Sequence, residues 1–257
     1  MTEESGVCAV VAEISELWVP ETGFAPEHAE AAATAVSEVL RAHGISSGFR
    51  LRTRRVPGGA VAQAGFELRG RPARVQVADA PADVVDRLVR RVDRHLTVLA
   101  VRGTRPWPDP DRVPIGYGTA PRPVVRHKRF RLAVCSVLEA VAVLDAMDYE
   151  AHLFTDATTG SDAVVYRGGP FGVRLARQCC GGLPCRTGRL ALTVDARHTR
   201  RFDEREAAAH LCRYGLPFLF HTDPRTGRGQ LLYRRHDGDL AVVSPADTPK
   251  GEQWHAI

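Results

Sequence analysis

The chain has 257 residues, 44% hydrophobic and 25% charged, with 35 Lys and Arg against 30 Asp and Glu for a net charge of +5. This composition excludes a mainly disordered chain, and the length predicts about two domains of roughly 100–150 residues. No run approaches the roughly 18–20 consecutive apolar residues of a membrane helix. The acidic start Met1-Thr2-Glu3-Glu4 carries no export signal, so a cytoplasmic protein with free thiols at its six cysteines is expected.

Residues 7–19 read as an apolar strand. From Pro26 to His43 the apolar positions Ala29, Ala32, Ala33, Val36, Val39 and Leu40 recur at helical steps, with Pro26 suited to the first turn and Gly44 to the stop. Phe49, Leu51 and Thr53 alternate with Arg50, Arg52 and Arg54, a period-two strand. Pro57-Gly58-Gly59 turns the chain into a second strand through Phe66 and Leu68. Gly70-Arg71-Pro72 turns it into a third through Val75 and Val77. A helix capped by Asp79 or Asp83 then runs to about Leu99, with Val84, Val85, Leu88, Val92, Leu96 and Leu99 as its apolar stripe. The order β-α-β-β-β-α predicts an antiparallel meander under two helices over residues 1–101, similar in plan to a double-stranded-RNA-binding domain.

Residues 102–125 hold prolines 106, 108, 110, 114, 121 and 123 and read as an extended linker. Beyond it, residues 138–167 are matched by residues 205–234 at a constant offset of 67. The pairs include Glu139/Glu206, Leu144/Leu211, Asp156/Asp223, Gly160/Gly227, Tyr166/Tyr233 and Arg167/Arg234. Two tandem copies of a small β-α-β-β-β domain are expected, residues 126–178 and 188–257, joined by a loop at 179–187. The whole chain is therefore α+β. In each copy the stretch T-D-x-x-T-G supplies turn chemistry, with Asp bonding local backbone and Gly free to take positive φ. That role accounts for Asp156, Thr159, Asp223 and Thr226 without catalysis.

The charge is uneven. Residues 1–40 contain eight Glu and no Lys or Arg; residues 41–103 contain 13 Arg and five acidic residues; the remainder has 22 basic and 17 acidic. Only Lys128 and Lys250 are lysines. An arginine excess fits a nucleic-acid partner and also a GC-rich genome. Two sets qualify as phosphate contacts. Arg50, Arg52 and Arg54 share one strand face, joined by Arg69 and Arg74, with Arg55 adjacent. Arg87, Arg90, Arg91 and Arg94 form a helix stripe opposite the apolar one. Guanidinium forks suit phosphate oxygens.

Cys179, Cys180 and Cys185 lie near His198. Zinc binding, a redox-responsive thiol and a plain connecting loop all stay open there, since the spacing is not a CxxC pair. Tyr166 and Tyr233 read as core or interface residues rather than base-stacking platforms. His152, His221 and His236 lack partners at ligand or triad spacing. No nucleotide-binding, hydrolase or metalloprotease motif occurs, so no enzyme and no cofactor are expected.

The basic β-α-β-β-β-α region, the proline linker and the C-terminal motifs together resemble the long-form ribosome hibernation promoting factor family. The motifs are Lys128-Arg129-Phe130, Glu139-Ala140, Phe154 to Tyr166-Arg167, and in the second copy Thr226-Gly227, Tyr233-Arg234-Arg235 and Asp237-Gly238. The duplicated half is most similar to the actinobacterial dormancy- and hypoxia-linked branch. The resemblance implies an N-terminal domain on the small ribosomal subunit, over the decoding region, that blocks mRNA and tRNA. It also implies a C-terminal domain that pairs two ribosomes by homodimerising. This chain departs in two ways. Its first helix carries Glu27, Glu30 and Glu38 and so does not face phosphate, and its C-terminal domain is doubled. The expectation is a monomer whose copies pair within the chain, at Tyr166, Arg167, Tyr233, Arg234 and Arg235 or with these as a second ribosome contact, the large subunit included. It would then sit on single ribosomes. The alternative class is a cytosolic ligand, metal or redox sensor acting through a protein; a nucleic-acid enzyme is a weaker third.

Overall fold

The computed structural model describes residues 26–46, 48–102, 107–109, 118–179 and 190–246, and within them it is a mixed α+β structure with four helices and three sheets. The expected strand at 7–19 lies outside the described residues.

The first sheet is a meander of β1 (Arg50–Val56), β2 (Gly59–Leu68) and β3 (Arg71–Asp79), antiparallel throughout. Its turns use Gly58 at φ 84° and Gly70 at φ 74°, where a side chain would be strained. Helices α1 (Pro26–Ala42) and α2 (Val84–Arg102) cover one face. Ala32, Val36 and Leu40 of α1 and Val84, Leu88, Val92 and Leu96 of α2 are buried over Ala62, Ala64, Phe66, Val75 and Val77. Each such side chain contributes about 1.5–3 kcal/mol on burial if large and apolar.

The second sheet has the order β10-β11-β12-β4, built from β4 (Val124–Phe130), β10 (Phe218–Thr222), β11 (Gly229–Arg234) and β12 (Leu240–Pro245). The third has the order β5-β6-β7-β8-β9, from β5 (Val134–Cys135), β6 (Ala151–Asp156), β7 (Asp162–Arg167), β8 (Val173–Arg177) and β9 (Thr193–Val194). Helix α3 (Val137–Ala146) lies on the third sheet through Ala140, Val141 and Leu144, against Phe154, Ala163 and Val165. Helix α4 (Glu204–Arg213) lies on the second through Ala207 and Leu211, against Leu232 and Val242. Both helices start from capping boxes, Ser136 with Glu139 and Asp203 with Glu206. The opposite faces of the two sheets meet in one apolar layer, where Leu153 and Val164 pack with Leu231 and Val243. Helix, sheet, sheet and helix thus stack in four layers, which is why β7 and β11 are buried on both faces.

Two strands leave their sequence neighbours. β4 precedes α3 yet pairs in parallel with β12, and β9 precedes α4 yet pairs in parallel with β8. The sheets therefore cross the expected loop at 179–187. β4 also starts two residues earlier than the expected boundary at 126, and its Val124 packs against the α4 core.

Candidate nucleic-acid interface

The helix-free face of the first sheet is the basic one. Arg50 stands opposite Gly65, which stands opposite Arg74, so the two arginines flank a position without a side chain. Arg52 stands in the same way beside Gln63 and Gln76. Arg54 completes the row on β1. The expected shared face of Arg50, Arg52, Arg54 and Arg74 is present. Arg69 instead occupies the β2–β3 turn at φ 53°, exposed, and Arg55 projects to the helix side at the β1 edge.

Much of this face is already in contact with the C-terminal half. Arg54 Nη2 donates to Asp237 Oδ2 at 3.2 Å. The Arg74 guanidinium lies 4.7 Å from the Tyr149 ring centroid, a cation–π contact. Asp237 also receives Arg235, at 2.8 Å to Oδ2, and that bond is the main reason its carboxyl is held down at about 2. Arg50 and Arg52 remain exposed.

The helix stripe needs correction. Arg91 is 9% exposed and donates to Asp109 at 2.8 Å and Asp148 at 3.1 Å. One turn on, His95 is buried with Nε2 3.3 Å from the Ala146 carbonyl. The helical wheel puts Arg91 beside Leu88 and Val92, and the end of α3 closes over it. Arg87 is bound to Asp79 at 2.7 Å, which lowers that carboxyl. Arg90 and Arg94 are exposed. The four arginines do not form one open stripe.

The expected repeat contacts divide. Tyr166 meets Phe218 edge-on at 5.2 Å between the sheets, and Tyr233 lies in the same apolar layer. Arg167 and Arg234 point the other way. Arg167 is buried on Asp145, and Arg234 donates to the carbonyls of Leu216 at 3.0 Å and Gly118 at 2.8 Å. They are internal latches, because strand alternation sends them away from the face that carries the tyrosines. Arg235 is tied to Asp237.

Cys179 is an exposed free thiol; Cys180 and Cys185 lie outside the described residues. Among the described residues no group of three His, Cys, Asp or Glu is placed to hold a metal, and His198 is exposed. Asp156 and Asp223 cap their own turns, accepting from the amides of Thr158 at 2.9 Å and Arg225 at 3.0 Å. Gly160 and Gly227 take φ 67° and 68° there. No described helix is long and apolar enough to cross a membrane. The partners Asp148, Tyr149 and Asp237 were missed in the sequence. The one local signal was Asp148 directly after a helix, where it adopts φ 51°.

The family model for the Sigma 54 modulation/S30EA ribosomal protein C terminus matches residues 119–175, from the strand β4 to β8. Two curated relatives are each 41% identical over 230 residues, spanning 84% of this chain and 83% of their own length. Both are named dormancy associated translation inhibitor, from Mycobacterium tuberculosis strains CDC 1551 / Oshkosh and ATCC 25618 / H37Rv. The chain belongs to the S30AE-type ribosome hibernation factor family. That family consists of translation-inhibiting ribosome factors, not enzymes.

Proposed function

We propose that this chain is a cytoplasmic hibernation factor that binds the small ribosomal subunit near the decoding region and excludes mRNA and tRNA in dormant cells. The observation that carries the reading is kinship to the mycobacterial dormancy associated translation inhibitors together with the arginine row Arg50, Arg52, Arg54 and Arg74 on the helix-free face of the first sheet. Arginines spaced along a pleated face suit the phosphate backbone of folded RNA, which is recognised by shape and charge. Arg50 and Arg52 are the exposed members of the row and make first contact; Arg69, Arg90 and Arg94 are exposed elsewhere on the domain.

The C-terminal half is two copies of one unit, paired within the chain as a pseudo-dimer, so the protein acts on single ribosomes as a monomer. The strand exchange supports this. Ala241 pairs with Arg126 and Val242 with His127; shifted by the same 67 residues, Arg174 pairs with Thr193 and Leu175 with Val194. Each unit lends its opening strand to the other in the same register. The faces through which a second chain would pair are occupied from within.

Sedimentation of ribosomes with the full chain over a salt series tests both parts. Binding that weakens on Arg50→Glu with Arg52→Glu, with a log–log salt slope smaller by about two, and a profile of single ribosomes are expected. Undiminished binding by the double variant overturns the arginine face, and a ribosome-dimer peak overturns the pseudo-dimer.

A further inference from the structure

The two ends of the paired sheets are chemically unequal, although their strands superpose by the same shift. At one end, Tyr166 of β7, Arg174 of β8 and Asp195 just after β9 form a closed set. The Tyr166 hydroxyl donates to Asp195 Oδ2 at 2.9 Å, and Arg174 Nε donates to Oδ1 at 3.0 Å. Gly168 leaves room for the Arg174 chain, whose Cδ would lie 3.3 Å from any Cβ placed there. Arg174 and Asp195 neutralise each other there.

At the other end the same positions carry Tyr233, Ala241 and Lys128. Register puts Arg126 beside Ala241 and Lys128 beside Val243, so both cations project from β4 onto the face that carries Tyr233. The carboxylate of the first end is thus replaced by an ammonium, and its arginine by a methyl group. Lys128 Nζ stands 5.3 Å from the Tyr233 ring centroid. Arg235, two residues beyond Tyr233, reaches the same place, and Arg74 enters from the first sheet with its Nε buried and without a hydrogen-bond partner. Asp237, shared between Arg235 and Arg54, and Asp239 beside Arg235 offset this group in part. Burial, followed by repulsion from Arg126, Arg74 and Arg235, pushes the Lys128 ammonium down to about 8. Like charges assembled around a half-buried ammonium are unfavourable unless an anion joins them.

We propose that Arg74, Arg126, Lys128 and Arg235 form a binding site for a phosphoryl anion beside the Tyr233 ring. A multiply charged phosphate would satisfy the Arg74 Nε, take guanidinium forks from two sides and join the first sheet to the C-terminal half. The site stands on strand register and side-chain placement and does not depend on the ribosomal reading.

Inorganic pyrophosphate is the probe, titrated into the full chain and followed by phosphorus-31 line broadening. Saturable binding is expected, weakened at least tenfold by Lys128→Gln or Arg126→Gln and less than threefold by Lys128→Arg. Binding should fall above pH 8 as the ammonium discharges. Arg174→Ala, at the closed end, should leave it unchanged. No saturable binding by the unaltered chain, or equal affinity in Lys128→Gln, overturns the proposal. The source of the natural phosphate is read in a second arm, by ribosome co-sedimentation. A salt slope smaller by about one in Lys128→Gln assigns an RNA phosphodiester, and an unchanged slope assigns a free phosphorylated solute.

Discussion

The Gly229 amide donates a hydrogen bond to Asp162 Oδ2 at 2.8 Å, joining the first residue of β7 to the first residue of β11 across 67 positions of sequence. A residue touching its own counterpart is the mark of a two-fold axis, here inside one chain. Asp162 is 2% exposed and also receives Arg228 at 2.9 and 3.0 Å and Thr155 at 3.1 Å.

Asp162→Ala strips the acceptor from a buried amide and a guanidinium at once. Breaking a buried pair costs about 3–5 kcal/mol, and the Arg228 side chain is 38% exposed, so a loss of about 2–3 kcal/mol is expected in urea unfolding. Gly229→Ala should cost about 1–3 kcal/mol by overpacking. Its Cβ would lie 2.8 Å from both Asp162 Cβ and Phe220 Cε2.

Arg177 and Asp156 form the most enclosed ion pair among the described residues, 1% and 0% exposed in their side chains and bonded at 2.8 Å. Arg177→Met leaves a carboxylate in the interior. The expected loss is about 3–5 kcal/mol, read as a lower calorimetric Tm, and Asp156→Asn added to it should restore part of the loss.

Asp237→Ala removes the carboxylate that holds Arg54 to the C-terminal half. If Arg54 then reaches phosphate, the log–log salt slope of ribosome binding steepens by about one. A constant slope would make Arg54 a structural latch alone.

Acid should weaken the C-terminal half through His152. Its ring lies between Tyr149 and Phe154 at 6.0 and 6.3 Å, its Nε2 is buried without a partner, and burial pushes it down to about 4. The unfolded chain takes up the proton first as pH falls. Stability is therefore full above about 6.5 and is lost progressively down to about 4, by about 2–3 kcal/mol for a ring that keeps some solvent contact. His152→Leu should flatten that limb in pH-dependent unfolding. Asp237 adds stability present above 3.8 that fades as pH falls toward 2.

The first sheet and its helices were legible because each rests on local chemistry. Helical spacing of Val84, Leu88, Val92 and Leu96, alternation at Arg50, Arg52 and Arg54, and glycines 58 and 70 at the turns fix elements without knowledge of their neighbours. The fate of Arg91 was not legible, since a helical wheel describes one helix and Asp148 approaches from another unit. Strand exchange was equally hidden. Lys128-Arg129-Phe130 reads as an opening strand, but nothing in these residues says which strand they join.

The exchange also sets when the second sheet can close. β4 is synthesised before α3, but its neighbour β12 ends at Pro245. At roughly 5–20 residues per second, the nascent strand waits on the order of ten seconds with neither edge paired to its sheet. Such an edge invites pairing with another chain unless charge discourages it. Arg126, His127, Lys128 and Arg129 stand in a row on that strand. The cations gathered at the proposed phosphate site would thus repel a neighbouring nascent copy until β12 arrives.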